Sequence, residues 1–505
     1  MSGVKSLAKD TAIYGVSSIL GRFLNWCLVP LYTIMFPAAE YGVVTYLYSI
    51  VALALVVLIY GMETGFFRFA NHERYSDPME VYSTSLISLG VTSSVFIIAV
   101  LLFLSPISES LECAGHESYV ALMAATVAID AFTAIPFSLL RFKHRPMRFA
   151  TLRFINIALN IGLNLLFILV CPWLWRQAPA TISWFYNPDY GIGYIFLANF
   201  ISSVINLVLL LPELHGFAWK FNRKLWREML AYSFPLLILG IAGIMNQTID
   251  KILLPDLVTD KSEAMTQLGI YGANYKIAIV MVMFIQAFRF AYEPFIFAQN
   301  KEKGESRMQS YRDAMKWFVI FAMVIFLGVT YYLDFLRYFI SPRYFSGLKV
   351  VPIIMLAEFF FGVFFNLSLW YKLTDRTHWG MWFSLLGLLV TLALNVALVP
   401  RMGYMGCAWA ALGCYGVMMV TSYFVGLKKY PIGYDVKRLM LYFAIAMGLY
   451  AAAIWIATDN RWIDIPLRTV MLGLYIFMVL KVERVNIKQL LPINSILRRL
   501  KPSKP

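Results

Sequence analysis

The stretch from Gly269 to Phe297, GIYGANYKIAIVMVMFIQAFRFAYEPFIF, is apolar and long enough to cross a bilayer, yet it carries Lys276, Gln286, Arg289 and Glu293. A hydrocarbon core penalises each such ion at the centre of a helix by roughly 2.5–3.5 kcal/mol on insertion scales. A spanning helix that keeps these ions must turn them toward water, protein or a ligand, so it belongs to a bundle with a polar interior. Gln286, Arg289 and Glu293 recur at i, i+3 and i+7 and share one face. Lys276 lies about 140° from Arg289 on a straight helix. One cavity claims both only if the helix bends, or else Lys276 has a separate partner.

The rest of the chain supplies such a bundle. Apolar segments long enough for a ~30 Å core fall at 11–35, 42–66, 81–104, 118–140, 150–171, 191–212, 229–254, 269–296, 313–333, 350–372, 379–399, 406–427, 438–458 and 466–481. The expected fold is therefore an all-α polytopic membrane protein of about fourteen helices. Only 14% of its residues are charged, against about 25% in a soluble domain. The first apolar run is too long for a cleaved signal peptide and contains Arg22. With the N-terminus in the cytoplasm, the inward loops collect the basic clusters, among them Arg141, Lys143, Arg145 and Arg148, and Lys220, Arg223, Lys224 and Arg227. No Lys or Arg lies between Phe36 and Tyr41 or between Ser105 and Ser118. This bias places both termini in the cytoplasm. It also accounts for the net charge of +15 without nucleic acid. Aromatic residues of the outward loops, such as Trp173, Trp175, Trp184, Tyr186 and Tyr190, read as an interfacial belt.

The chain repeats itself. LNLLFILV around Asn164 matches LNVALVP around Asn395, and each is followed by a loop and a Gly-rich helix start. EYGVVTYLYS from Glu40 aligns with QLGIYGANYK from Gln267, setting Gly42 on Gly269 and Tyr48 on Tyr275. The expected organisation is a first six-helix lobe over 1–227, a second over 228–427, and two added helices with a basic tail over 428–505. Parallel repeats of this kind leave a cleft between lobes, where a substrate site would sit.

Candidate residues follow from depth. Ser18, Arg22 and Asn25 form a polar stripe on the first helix, with Arg22 near mid-depth and no acid one turn away. Asp250 and Lys276 reach similar depths on adjacent helices, so an ion pair between them stands beside a binding role. Glu63, Asp130, Asp250, Glu293 and Glu358 are coupling or structural carboxylates. For Lys251, Glu63 and Arg68, near membrane edges, a structural pair or a snorkelling side chain is the simpler reading. Arg22 and Arg289 read as functional. A deep arginine suits a phosphate-bearing anion, because its guanidinium is a rigid, permanently charged fork of donors. There is no GxxxxGK[ST] loop, no HExxH, and no cysteine spacing of a disulfide framework or metal site. No cofactor is expected.

Several strings in order, ETGFFRF from Glu63, YSTSLISL, IDKILLP from Ile249, LGIYGANYKIA, AYEPFIF and LNVALVPRMGYMGCAWAAL, resemble the oligosaccharide flippases of the polysaccharide biosynthesis transporters. Their superfamily also holds the multidrug and toxin extruders. The resemblance implies a V-shaped pair of lobes, and movement of undecaprenyl-diphosphate-linked oligosaccharide (an O-antigen, capsule or related repeat unit) from the inner to the outer leaflet by alternating access. It implies cationic cavity residues at Arg22, Lys276 and Arg289. The implied partners are the lipid-linked glycan and the bilayer, with a polymerase and other polysaccharide-assembly proteins as candidates; the chain is expected to act as a monomer and not as an enzyme. A drug/cation antiporter of the same fold would favour an acidic cavity. A membrane-embedded polymerase or glycosyltransferase would need larger catalytic loops on the outer side. The orientation is testable: alkaline phosphatase fused after Glu112 or Asn187 should be active, and after His144 or Asn222 silent. The reverse pattern overturns it.

Overall fold

In a bilayer every backbone polar group must be satisfied inside its own segment, so apolar runs of this length become helices. The computed structural model describes residues 26–72, 75, 77–299, 305–374, 376, 378–458 and 460–484, with 15, 20, 21, 23 and 24. Among the described residues, thirteen helices are long and apolar enough to cross a membrane. Of the first expected segment, 11–35, residues 11–14, 16–19, 22 and 25 lie outside them, and its end is α1, Val29–Met35. Next come α2 (Ala38–Ile59), α3 (Pro78–Leu102), α4 (Glu117–Phe142), α5 (Pro146–Leu165) and α6 (Gly193–Leu210). The second half holds α7 (Arg223–Leu257), α8 (Ala264–Gln299), α9 (Glu305–Tyr331), α10 (Val350–Leu367), α11 (His378–Met402), α12 (Tyr404–Lys429), α13 (Val436–Trp455) and α14 (Arg461–Val482). Side-chain caps mark several starts: Asp77 accepts from the Met79 amide, and Asn222 accepts from Lys224 and Leu225. On α3, Val91, Val95, Ile98 and Leu102 are exposed along one face, while Tyr82, Ser85 and Leu89 are buried on the other. That is the pattern of a helix with lipid on one side and packed small polar residues on the other.

Contacts divide the chain into two units, one of residues 1–301 with 337–431 and one of 302–336 with 432–505. In the second, α9 packs with α13 and α14. Glu483 joins the three, accepting from Lys316 of α9 at 2.8 Å and from Arg438 of α13 at 3.0 Å, with the Tyr442 hydroxyl also donating to it. Burial raises the pKa of this carboxyl, but the Lys316 and Tyr442 donors outweigh burial and hold it below its usual value.

In the first unit, α2 and α8 cross with their backbones touching. A Cβ on Gly42 would sit 1.9 Å from the Met265 carbonyl oxygen, and one on Gly269 would sit 1.8 Å from that of Ala38. Ala38 and Met265 are repeat partners, as Gly42 and Gly269 are, so the same contact is made twice about a local two-fold. The segment Pro342–Lys349 lies over this end. There the Tyr344 hydroxyl donates to the Phe36 carbonyl at 2.9 Å, and Asn274 donates to the Tyr344 carbonyl at 2.8 Å. Toward the opposite end, α2 breaks at Tyr60 and Gly61, both of positive φ, and resumes as Met62–Ala70. Gly61 passes close to Ser233 of α7, whose hydroxyl donates to its carbonyl.

The expected outer loop from Cys171 to Tyr190 is more ordered than its composition suggests. A π-helical turn at Leu166–Val170 carries α5 on into Cys171–Gln177. Tyr186 is buried there, stacked on Tyr194 in a cluster with Phe167 and Cys171. Only Trp173 and Trp184 of the expected belt are largely exposed. The crossing predicts that Gly269→Ala lowers the melting temperature of the detergent-solubilised protein by several degrees, since an overpacked contact costs ~1–3 kcal/mol. Gly243→Ala, with no atom within 4 Å of the added methyl, should leave it unchanged or raise it.

Candidate functional site

Beyond the crossing α2 and α8 part, and a cavity of about 620 Å³ opens between them. α1, α2, α5 and α6 form one wall and α7, α8 and α10 the other. Lys276, Gln286 and Arg289 all line it. Lys276 and Arg289 thus share one cavity along a single continuous helix. The lining positions of α8 run Gly272, Tyr275 with Lys276, Ile279, Val282, Ile285 with Gln286, then Arg289. Steps of three predominate, against 3.6 residues per turn, so the lining face winds round an unbroken helix that crosses the cavity obliquely.

The guanidinium of Arg289 stacks on Phe365, 4.1 Å from the ring centroid. Among the described residues, neither Lys276 nor Arg289 is within ion-pair distance of a carboxylate. The Lys276 carbonyl accepts from the Trp26 indole at 2.7 Å, and Trp26 stacks on Phe339 at 4.0 Å, so its turn of α8 is held firmly. Arg22 and Asn25 lie outside the described residues, as does the side chain of Glu293.

The expected Asp250–Lys276 alternative is corrected. Asp250 pairs with its neighbour Lys251 at 3.1 Å and accepts the Tyr271 hydroxyl at 2.6 Å. The pair is buried, and the Lys251 ammonium sits 4.2 Å from the Tyr275 ring centroid. Lys251 nevertheless lines the cavity, a place its position near a membrane edge did not suggest. Glu358 is buried, lines the cavity and accepts the Tyr275 hydroxyl at 2.6 Å. Tyr271 and Tyr275, one turn apart on α8, thus each hold a carboxylate of another helix. Glu63 is bridged to Arg141 at 3.0 Å, and Asp130 accepts from Ser203 at 2.9 Å. Neither lines the cavity.

The opposite wall was not anticipated. Tyr32, Tyr48, Asn160 and Asn199 line it without a charge. Asn164 stood out as a repeat marker, and Asn160, one turn before it, was the available signal.

A family model described as "Polysaccharide biosynthesis protein" matches residues 7–298. The chain belongs to the polysaccharide biosynthesis protein family. No curated protein matches its sequence. Among solved structures, this family member is similar to the lipid II flippase MurJ in an inward closed conformation, with a TM-score of 0.66 at 14% identity over 94% of this chain and 99% of that one. It is also similar to an inward-facing multidrug resistance MATE family transporter of the MOP superfamily, with a TM-score of 0.64 at 12% identity over 81% and 94% of the two chains. The DinF-BH multidrug transporter follows at 0.58 and 15% identity, over 84% and 96%. These likenesses establish the fold, that of a multi-pass integral membrane protein.

Removing one member of a buried ion pair strands the other, at about 3–5 kcal/mol. Asp250→Asn and Lys251→Met should each lower the unfolding midpoint in detergent. The double variant should regain part of the loss, and strict additivity would show that the two do not interact.

Proposed function

We propose that this protein is a flippase that moves undecaprenyl-diphosphate-linked oligosaccharide from the inner to the outer leaflet by alternating access. The observation that carries the reading is the charge of the cavity. Among the described lining residues Lys276 and Arg289 have no carboxylate within ion-pair distance, Lys251 is paired with Asp250, and the one lining carboxylate, Glu358, accepts from Tyr275. That balance suits a diphosphate and opposes a cationic drug, the ligand of the antiporter reading. The family match supports a place in polysaccharide assembly, and the fold likeness to MurJ and MATE proteins supports transport over catalysis.

The geometry suits the physical task. The prenyl tail can remain in lipid, but each sugar hydroxyl is costly to strand in hydrocarbon. With the basic loops cytoplasmic, the end sealed at Gly42 and Gly269 faces outward and the cavity faces the cytoplasm, ready to take up a head group. Separating the α2–α8 contact then opens the outer end. An inside-negative potential assists the outward passage of a bare anion by about 2.3 kcal/mol per charge at 100 mV. Glu63 and Asp130 lie off the cavity and Glu358 lines it, so Glu358 is the carboxylate we assign to ion coupling.

Charge-assisted contacts contribute ~1.5–3 kcal/mol each. Lys276→Ala, Arg289→Ala and Arg22→Ala should therefore each slow translocation in proteoliposomes by about tenfold or more, with membrane insertion preserved. A strain carrying them should accumulate an unchanged lipid-linked intermediate. Full transport by all three refutes the role of these cations, and a lengthened or relinked glycan would point to an enzyme instead.

A further inference from the structure

The repeat gives the two walls equivalent backbone positions, and they carry different chemistry. Tyr48 and Tyr275 are repeat partners. Tyr275 donates to the carboxylate of Glu358, whereas the Tyr48 hydroxyl accepts from the amide of Asn199. Asn160 and Asn164 correspond to Thr391 and Asn395. In the second half these two are fully buried and bond only to each other's turn of α11. In the first half they extend into a chain that crosses four helices and reaches the cavity.

The chain runs in one direction. The Tyr32 hydroxyl donates to Asn164 Oδ1 at 2.9 Å, Asn164 Nδ2 donates to Asn160 Oδ1 at 2.6 Å, Asn160 donates to Asn199, and Asn199 donates to Tyr48. Asn164 is buried behind, while the other four line the cavity. Each amide is fixed in orientation by the link before it, so none need reorganise on binding. Within the described residues, Asn160 and Asn199 each keep one N–H, and Tyr48 keeps its hydroxyl proton, beyond the bonds of the chain.

A neutral surface of fixed donors and acceptors, flanked by two aromatic faces, is poorly suited to a diphosphate and well suited to the hydroxyls and C–H faces of sugar rings. We propose that Tyr32, Asn160, Asn199 and Tyr48 form the sugar-recognition wall of the cavity and select the glycan, while Lys276 and Arg289 opposite hold the diphosphate. This rests on the flippase reading and divides its substrate between the two halves. A cavity of this size falls within the ~300–1,000 Å³ of pockets that bury most of a drug-sized ligand, room for the sugars adjoining the diphosphate. Sites built to hydrogen-bond hydroxyls reject analogues that lack them far more strongly than apolar pockets discriminate by size.

The test compares binding of two probes to the full-length protein in nanodiscs. One is undecaprenyl diphosphate; the other is the undecaprenyl-diphosphate-linked glycan extracted from cells lacking this protein. Wild type is expected to bind the glycan-bearing lipid at least tenfold more tightly. Asn199→Ala should lose that preference and keep its affinity for undecaprenyl diphosphate, whereas Lys276→Ala should weaken both. Tyr48→Phe removes one oxygen without changing shape, and its preference should fall several-fold even where Asn199→Ala fails to insert. Should both wall variants keep the full preference, or weaken both lipids equally, the wall does not read sugar and this proposal fails while the flippase reading stands. Should wild type bind neither probe, the flippase reading fails and takes this one with it.

Discussion

The backbone contact between α2 and α8 is the constraint on which the first unit depends. Helix axes normally lie 8–10 Å apart because side chains intervene. Gly42 and Gly269 leave nothing between, so each helix rests on the other's carbonyl. Because Ala38 and Met265 receive the two contacts in turn, the pair can be satisfied only by a two-fold relation between the repeats. From that point the side chains grow, through Thr45 to Tyr48 on one helix and Tyr275 and Lys276 on the other. They force the helices apart, and the cavity is the space that results. One end is sealed by the absence of side chains and the other opened by their presence.

A symmetric scaffold need not be symmetrically charged. Within hydrocarbon each buried polar group needs a partner, and the two halves solve this differently. Around the cavity the second half uses ions: Asp250 with Lys251, and Glu358 with Tyr275. The first half uses amides and phenols relayed in a chain. The outcome is a cavity whose walls differ in kind.

The same economy of partners orders the charges away from the cavity. Arg141 answers Glu63 in the first unit, and in the second Arg468 answers Asp334 at 2.8 Å while Glu483 gathers Lys316 and Arg438. Ions that find a protein partner act as fasteners between helices. Lys276 and Arg289, which have no carboxylate partner among the described residues, line the cavity.

Much of the architecture was legible in the sequence because it depends on local chain chemistry. Apolar length alone dictates spanning helices. The distribution of Lys and Arg among the loops carries the expected orientation. The alignment of Gly42 with Gly269 already held the pair that later proved to touch. Lys276 and Arg289 were found because an ion within an apolar run is anomalous wherever the run packs. Partner choice was not legible: whether Asp250 meets Lys251 or Lys276, and whether Asn160 faces a cavity or a sealed core as Thr391 does, depends on where helices distant in sequence cross. Neutral amides and tyrosines carry no charge to mark them as anomalous in an apolar run, so the wall they build emerged only from the packing. Sequence determined that the chain crosses a membrane many times around buried charge; the tertiary structure decided which of those charges meet each other and which are left facing the cavity, because that depends on where helices distant in sequence cross.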